Sequence, residues 1–479
     1  MRARHICNNH RKPFTRKADW VGLIGIVFLC GILLSMTPAN AEVRVFLDFT
    51  RDVDNGPPAG GGGNSTADWI ENLDDALVDA GFAASTGGER TAIQAAIKSS
   101  IESSYSAFDI TFSTTTPTAP FHTINFGATT TDSPMVGPFS FGVAPLDFRN
   151  LSATQTANVY SHNFDFFFVD GGDTKAQFIT EMQAALAGTG AHELGHSLGL
   201  QHHHAYSDPG ITPTNYAATG GLQNQYIIAT GSTGITEAQR ETQRGFSVFE
   251  NVILEAASSL PPAVPLPSTA EDDFSHDVPS IAGVNDAPIA TAIATGGGAL
   301  TSNPLIATVE ELDAGGTAPL AQALTLTSLP ISMTKAAMVV GAMLDSDTDV
   351  DYYSFPGKAG NLLTAQVFSE DRYLDEFDGE LTLFDTDGTS VLATNDDVRY
   401  NGNVFNAGTL REKDPFLLNI ALPSNGTFFL KVEAAAAGTH SGDLDGAYDL
   451  IFAIPEPGTV GMLVLGVVSL LSQRRRRGK

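Results

Sequence analysis

The chain has 479 residues and only two cysteines, Cys7 and Cys30, both inside a basic-then-apolar segment at the N-terminus. Beyond that segment there is no thiol. Disulfides and cysteine ligands are therefore excluded from the folded regions, as is latency maintained by a cysteine. Basic residues are also scarce. Lys and Arg number 26 against 54 Asp and Glu, a formal net charge of -28. Such a chain repels a polyanion, which excludes a nucleic-acid binder. Apolar residues are not lacking: hydrophobic content of 42% and aromatic content of 9% suffice for sizeable cores and exclude wholesale disorder. The length suggests about two or three domains.

The two ends read as addresses. Arg2, Arg4, Arg11, Lys12, Arg16 and Lys17 precede the apolar run Val21 to Leu34, and Ala39-Asn40-Ala41 supplies small residues before Glu42. This is the pattern of a signal peptide over residues 1–41, and it predicts export. At the other end Pro455-Glu456-Pro457 is followed by the apolar stretch Gly458 to Leu471 and then by Arg474 to Arg477. An apolar helix that ends in arginines stops with them on the cytoplasmic side. Residues 455–479 resemble the PEP-CTERM sorting signal of Gram-negative bacteria. The resemblance implies processing by an exosortase-type enzyme, with the protein at the cell surface or outside the cell afterwards. Membrane contact is then expected only through the sorting helix, before processing.

Between the ends the composition changes twice. Residues 42–260 read as a mixed α+β domain. Val43 to Phe49, Phe108 to Phe112, His122 to Phe126 and Phe164 to Val169 have strand character, while Thr91 to Tyr105, Lys175 to Leu186 and a separate stretch around His192 have helical spacing. Residues 261–310, rich in Ala, Thr, Gly and Ser, read as a linker. Residues 311–454 read as an all-β sandwich, with strands at Tyr352 to Phe355, Leu362 to Val367, Leu381 to Phe384, Phe416 to Ile420 and Thr427 to Val432 and turns such as Asp387-Gly388 between them.

The chemistry concentrates in one segment, His192-Glu193-Leu194-Gly195-His196-Ser197-Leu198-Gly199-Leu200-Gln201-His202. His192 and His196 are four apart, so a helix puts both imidazoles on one face, one turn from each other. Zinc accepts imidazole nitrogen at ~2.0–2.1 Å, a distance two such rings can satisfy together. Gly199 tolerates positive φ and can turn the chain, so that His202 returns as a third ligand. Three protein ligands leave a fourth position open to water, the arrangement of a catalytic site. Glu193 is then placed to deprotonate that water. His203 and His204 extend the run; either could supply the third ligand by a shift of register, but they read as exposed. Tyr206, Tyr216 and Tyr226 are each able to hydrogen-bond an oxyanion but read as packing residues, and His122 and His162 read as structural.

The motif resembles that of the metzincin zinc metallopeptidases, H-E-x-x-H-x-x-G-x-x-H followed by a Met-turn. The resemblance implies that His192, His196 and His202 bind zinc and that Glu193 is the general acid/base of an endopeptidase acting on extracellular proteins. The chain departs from the pattern in one place. No methionine lies between Met182 and Met333, and the best match to the Met-turn, Tyr226-Ile227-Ile228-Ala229-Thr230-Gly231, puts Ile228 where methionine would sit. That substitution allows a rival reading, a surface-displayed binding or matrix protein with an inactive peptidase-like domain.

The later region has a second resemblance. Asp345-Ser346-Asp347-Thr348-Asp349-Val350-Asp351, Asn395-Asp396-Asp397 and Asn425-Gly426 look like the bacterial pre-peptidase C-terminal domain, a small sandwich appended to secreted peptidases. Asp345, Asp347, Asp349, Asp396 and Asp397 are rich enough in oxygen ligands to hold calcium. Polar turns on a sandwich edge would carry the same residues.

Overall fold

A computed structural model describes residues 43–51, 66–128, 141–146, 154–164, 173–206, 226–229, 237–240, 242–259, 308–309, 316–329, 334–344, 349–369, 378–396, 399–400, 403–404, 414–435 and 446–455. The signal-peptide segment, the apolar and arginine parts of the sorting signal and residues 261–307 of the expected linker lie outside these residues. No described helix is long and apolar enough to cross a membrane. The architecture is mixed α/β, with several sheets and a majority of strand.

The first half is built on a five-stranded sheet. Its members are β1 (Val43–Asp48), β2 (Ile110–Ser113), β3 (His122–Asn125), β4 (Gly142–Val143) and β5 (Thr156–Val159). The order is β2-β1-β3-β5-β4, parallel throughout except for β4, which is antiparallel to β5 at the edge. Val43, Val45, Phe46 and Leu47 of β1 are all buried, as expected of a strand inside a parallel ladder covered on both faces.

Helices α1 (Asp68–Asp79) and α2 (Gly87–Ser104) lie between β1 and β2 in the chain, and α3 (Lys175–Ser197), α4 (Glu237–Arg240) and α5 (Val248–Ser259) follow the last strand of the sheet. Sequence reading passes over α1, although Trp69, Leu73, Ala76 and Leu77 form its buried stripe. A capping box between Thr86 and Glu89 starts α2 four residues before the expected Thr91, and Ile93, Ile97 and Ile101 are its buried face. The two helical stretches expected near His192 are one helix. Thr174 and Gln177 cap the start of α3, and it runs unbroken for 23 residues through Gly188 and Gly190. Gly190 serves packing and does not break the helix. A Cβ there would lie 3.1 Å from Phe126 and 3.3 Å from Ile101, so glycine lets α3 lie close against the end of β3 and against α2. In the expected strand Phe164 to Val169, Phe164 instead caps a short 3-10 turn, Ser161–Asn163; residues 165–169 lie outside the described set.

The second half is a sandwich. One sheet contains β7 (Gln322–Ala323), β10 (Val350–Gly357), β12 (Gly379–Phe384), β13 (Val391–Asn395) and β17 (Gly426–Ala434), in the order β13-β12-β17-β10-β7. The other contains β6 (Thr308–Val309), β9 (Thr334–Leu344), β11 (Leu362–Phe368), β16 (Phe416–Ala421) and β18 (Gly446–Pro455), in the order β16-β11-β18-β9-β6, with β8 (Thr327–Leu329) paired to β9. A two-stranded ribbon joins β14 (Arg399–Tyr400) to β15 (Asn403–Val404). All five strands expected from the sequence here are present. Thr308–Val309, assigned by composition to the linker, pair with β9, and Pro455, assigned to the sorting signal, ends β18 opposite Thr334.

The described residues of both halves belong to one compact unit. Tyr353, Phe355, Leu383 and Leu430 face Leu363, Val367, Leu450 and Phe452 across the sandwich interior. The alternate residues of the second sheet, including Phe368, Phe416, Ile451 and Ala453, join the core of the first half. That sheet is therefore buried on both faces.

Candidate metal centre

Two turns of α3 and the loop that follows bring three imidazoles together. His192 and His196 lie one helical turn apart with Nε2 atoms 3.1 Å from each other. The helix then ends in a Schellman turn: the Gly199 N–H donates to His196 O, the Leu200 N–H donates to Gly195 O, and Gly199 takes the predicted positive φ of 92°. His202 opens a 3-10 turn, His202–Tyr206, and its Nε2 lies 3.1 Å from that of His192. Ligand atoms of the three histidines all fall within 4.8 Å of one another. Among the described residues this is the one group of three or more His, Cys, Asp or Glu placed to hold a metal ion.

The tautomers follow from the backbone. His192 Nδ1 donates to Ile227 O at 2.8 Å and His196 Nδ1 donates to Leu200 O at 2.6 Å. A carbonyl can only accept, so in each neutral ring the proton is on Nδ1 and Nε2 is a bare lone pair. Two such lone pairs 3.1 Å apart cannot bond to each other, and a cation between them relieves the repulsion. A tetrahedral zinc with nitrogen at ~2.0–2.1 Å spaces its ligands about 3.3 Å apart. The donor set and its spacing thus fit a divalent metal. Carbonyl acceptors behind ligand imidazoles are the usual means of fixing their tautomer and aim.

Burial keeps these rings neutral. It is the first cause of a lowered pKa in all three, bringing His196 down to about 4 and His192 and His202 well below the usual range; neighbouring histidines lower the latter two further. Neutral imidazole is the metal-binding form. Glu193, 5% exposed, is pushed the other way, its pKa raised well above the ordinary value by burial. The edge strand β4 rests on it. A Cβ added to Gly142 would come within 2.4 Å of Glu193 Oε1 and 2.6 Å of its Cγ.

Ile228 is fully buried and lies beneath the ligand helix. A Cβ on Gly195 would stand 3.0 Å from Ile228 Cδ1 and 3.2 Å from Leu200 Cδ1. Ile228 therefore packs against the helix segment that carries His192 and His196. Arg244 and its neighbour secure this turn, with Arg244 Nη1 donating to Tyr226 O and the Ile227 N–H donating to Gly245 O. Burial lowers the Arg244 pKa to about 10, which leaves it charged. From the C-cap of α2, the Tyr105 hydroxyl donates to Ala191 O, next to His192. Sequence reading singled out none of Gly142, Tyr105 and Arg244. A lone glycine, tyrosine or arginine carries no spacing that marks it.

His203 and His204 require a correction. Read as an exposed run, both are fully buried. Their Nε2 atoms lie 3.1 Å and 2.6 Å from Gln366 Oε1 of the sandwich, a partner that a local reading of the sequence cannot supply. Tyr226 is buried, His122 is buried in β3, and His162 lies in the 3-10 turn after β5. Of the five acidic residues considered for calcium, Asp345, Asp347 and Asp397 lie outside the described set. Asp349 Oδ1 accepts from the Val350 N–H, and Asp396 is exposed.

No family model matches the chain, and no curated protein matches it. Solved structures that it matches include PliG of Aeromonas hydrophila, a periplasmic inhibitor of g-type lysozyme, at 13% identity over 28% of this chain and 96% of that one, with a TM-score of 0.18. The pre-peptidase C-terminal domain of a Bacillus anthracis collagenase matches at 16% identity over 27% of this chain and 92% of that one, TM-score 0.17. A serine protease of Aeromonas sobria matches at 17% identity over 27% of each chain, TM-score 0.14. At these TM-scores none of them assigns a fold or an activity to this chain.

Proposed function

We propose that this chain is an exported zinc-dependent endopeptidase that hydrolyses peptide bonds of extracellular proteins. The observation that carries the reading is the convergence of three imidazole Nε2 atoms, two of them stripped of a proton by carbonyl acceptors, beside a buried carboxyl. Zinc, when bound, would polarise the scissile carbonyl and lower the pKa of a water to about 7. His192, His196 and His202 hold the ion with neutral rings. Glu193 takes the proton of the attacking water and passes it to the leaving amine. Burial raises the Glu193 pKa, and a shift in that direction strengthens the carboxylate as a proton acceptor. β4 ends the sheet order among the described residues. An extended substrate added along it would run beside Glu193, which Gly142 touches.

The test is cleavage of an unfolded protein by the purified protein and by Glu193→Ala, each with and without a chelator. Cleavage by the wild type alone, abolished by chelation, is expected. Glu193→Ala should keep its metal and lose at least about a hundredfold in rate. A wild-type protein that holds metal and cleaves nothing would overturn the peptidase reading in favour of a binding protein.

A further inference from the structure

The loop that carries the third ligand is held from two sides. Within the first half, the His204 N–H donates to Gln201 O, and Ser247 Oγ donates to His204 O. From the second half comes Gln366, a fully buried residue of β11 on the sheet face that also carries Phe368 and Phe416. The chemistry of this contact is determined. His204 Nδ1 accepts from the Gln201 N–H at 2.9 Å, so the neutral ring carries its proton on Nε2. That Nε2–H donates to Gln366 Oε1 at 2.6 Å, and the same oxygen accepts from His203 Nε2 at 3.1 Å. One side-chain oxygen thus aligns two consecutive rings of the 3-10 turn that begins at His202.

We propose that Gln366 is a positioning residue for the metal centre: through His203 and His204 it sets the turn that presents His202, so the sandwich completes the metal site of the other half. This rests on the metal-binding reading above. It gives the second half a role in ligation that does not require it to touch substrate. Outer residues that orient metal ligands typically affect affinity by about ten- to a hundredfold.

The test compares the purified full chain, wild type, with Gln366→Leu, Gln366→Glu and His202→Ala, using Co2+ as the metal probe. The readouts are the Kd from chelator competition and the visible spectrum of bound Co2+. Gln366→Leu removes the acceptor, so its Kd should rise by about ten- to a hundredfold and its spectrum should shift towards that of His202→Ala. Gln366→Glu keeps an oxygen acceptor and should restore both. A purely packing role would not be rescued by the carboxylate and would leave the spectrum unchanged. If Gln366→Leu does not fold, Gln366→Asn, which withdraws the amide by one methylene, should show the same weakening. Wild-type Kd and spectrum in whichever of the two folds overturns the proposal alone. A wild-type chain that takes up no Co2+ overturns the metal reading and this proposal with it.

Discussion

At the residue scale, aim matters more than composition. Histidine is abundant in this segment, but the proposed ligand set is distinguished by what sits behind its rings, and two backbone carbonyls aim His192 and His196. Glu193 depends in the same way on a neighbour with no side chain. Because a Cβ at Gly142 would overlap the Glu193 carboxyl carbon at 2.7 Å as well as its oxygen, Gly142→Ala must displace the whole carboxyl arm. The obstructing atoms are a side chain, so the fold should absorb the change by moving it. A displacement of about 1 Å in a catalytic group can cost a hundredfold. Gly142→Ala should therefore keep wild-type metal affinity and lose about a hundredfold in kcat/KM, as read by peptide hydrolysis beside a metal titration. Unchanged kcat/KM would show that β4 does not constrain Glu193.

At the element scale, the end of α3 couples helix termination to the proposed ligation. The turn that satisfies the last carbonyls also delivers Leu200 O to His196 Nδ1. Gly199 makes it possible at φ 92°, where a side chain is strained by about 1–2 kcal/mol. Gly199→Ala should lower unfolding stability by that amount and weaken metal binding as well; denaturant titration and chelator competition measure the two. Loss of stability with intact affinity would uncouple the turn from the site. The legibility of other elements follows similar physics. The zinc-type motif and the turn at Gly199 were readable because their signals are local. The strands β10, β11, β12, β16 and β17 were readable from short apolar runs between turns. β9 and β18 were not read from the sequence; their residues alternate between two covered faces, such as Val339 and Phe452 inside the sandwich against Met338 and Ile451 towards the first half. Burial on both sides erases the alternation that marks a strand.

At the scale of the whole molecule, the seam between the halves contains two titratable rings that a local reading placed in solvent. His203 and His204 have no exposure, and burial holds the pKa of His203 down at about 3 and that of His204 well below the usual range. The hydrogen bonds to Gln366 work against that lowering without overcoming it. In the unfolded chain a histidine titrates near 6.5. As pH falls from about 6.5 towards 3, the unfolded state binds protons that the folded state refuses, so stability is complete above about 6.5 and declines below it. Each ring contributes a slope of up to ~1.4 kcal/mol per pH unit. The ligand rings act in the same direction, with pKa values also lowered. Glu193, its pKa raised, opposes them, because its folded form takes up a proton first and gains stability as pH falls. The histidines outnumber it, so the metal-free protein should lose stability between pH 6.5 and pH 5, where ordinary carboxylates remain largely ionised. Tm measured across that window should fall with pH, and by less in His203→Gln. A flat Tm would mean that the seam opens to admit protonated rings while the rest of the fold persists, and the sandwich would then be a detachable partner of the metal centre.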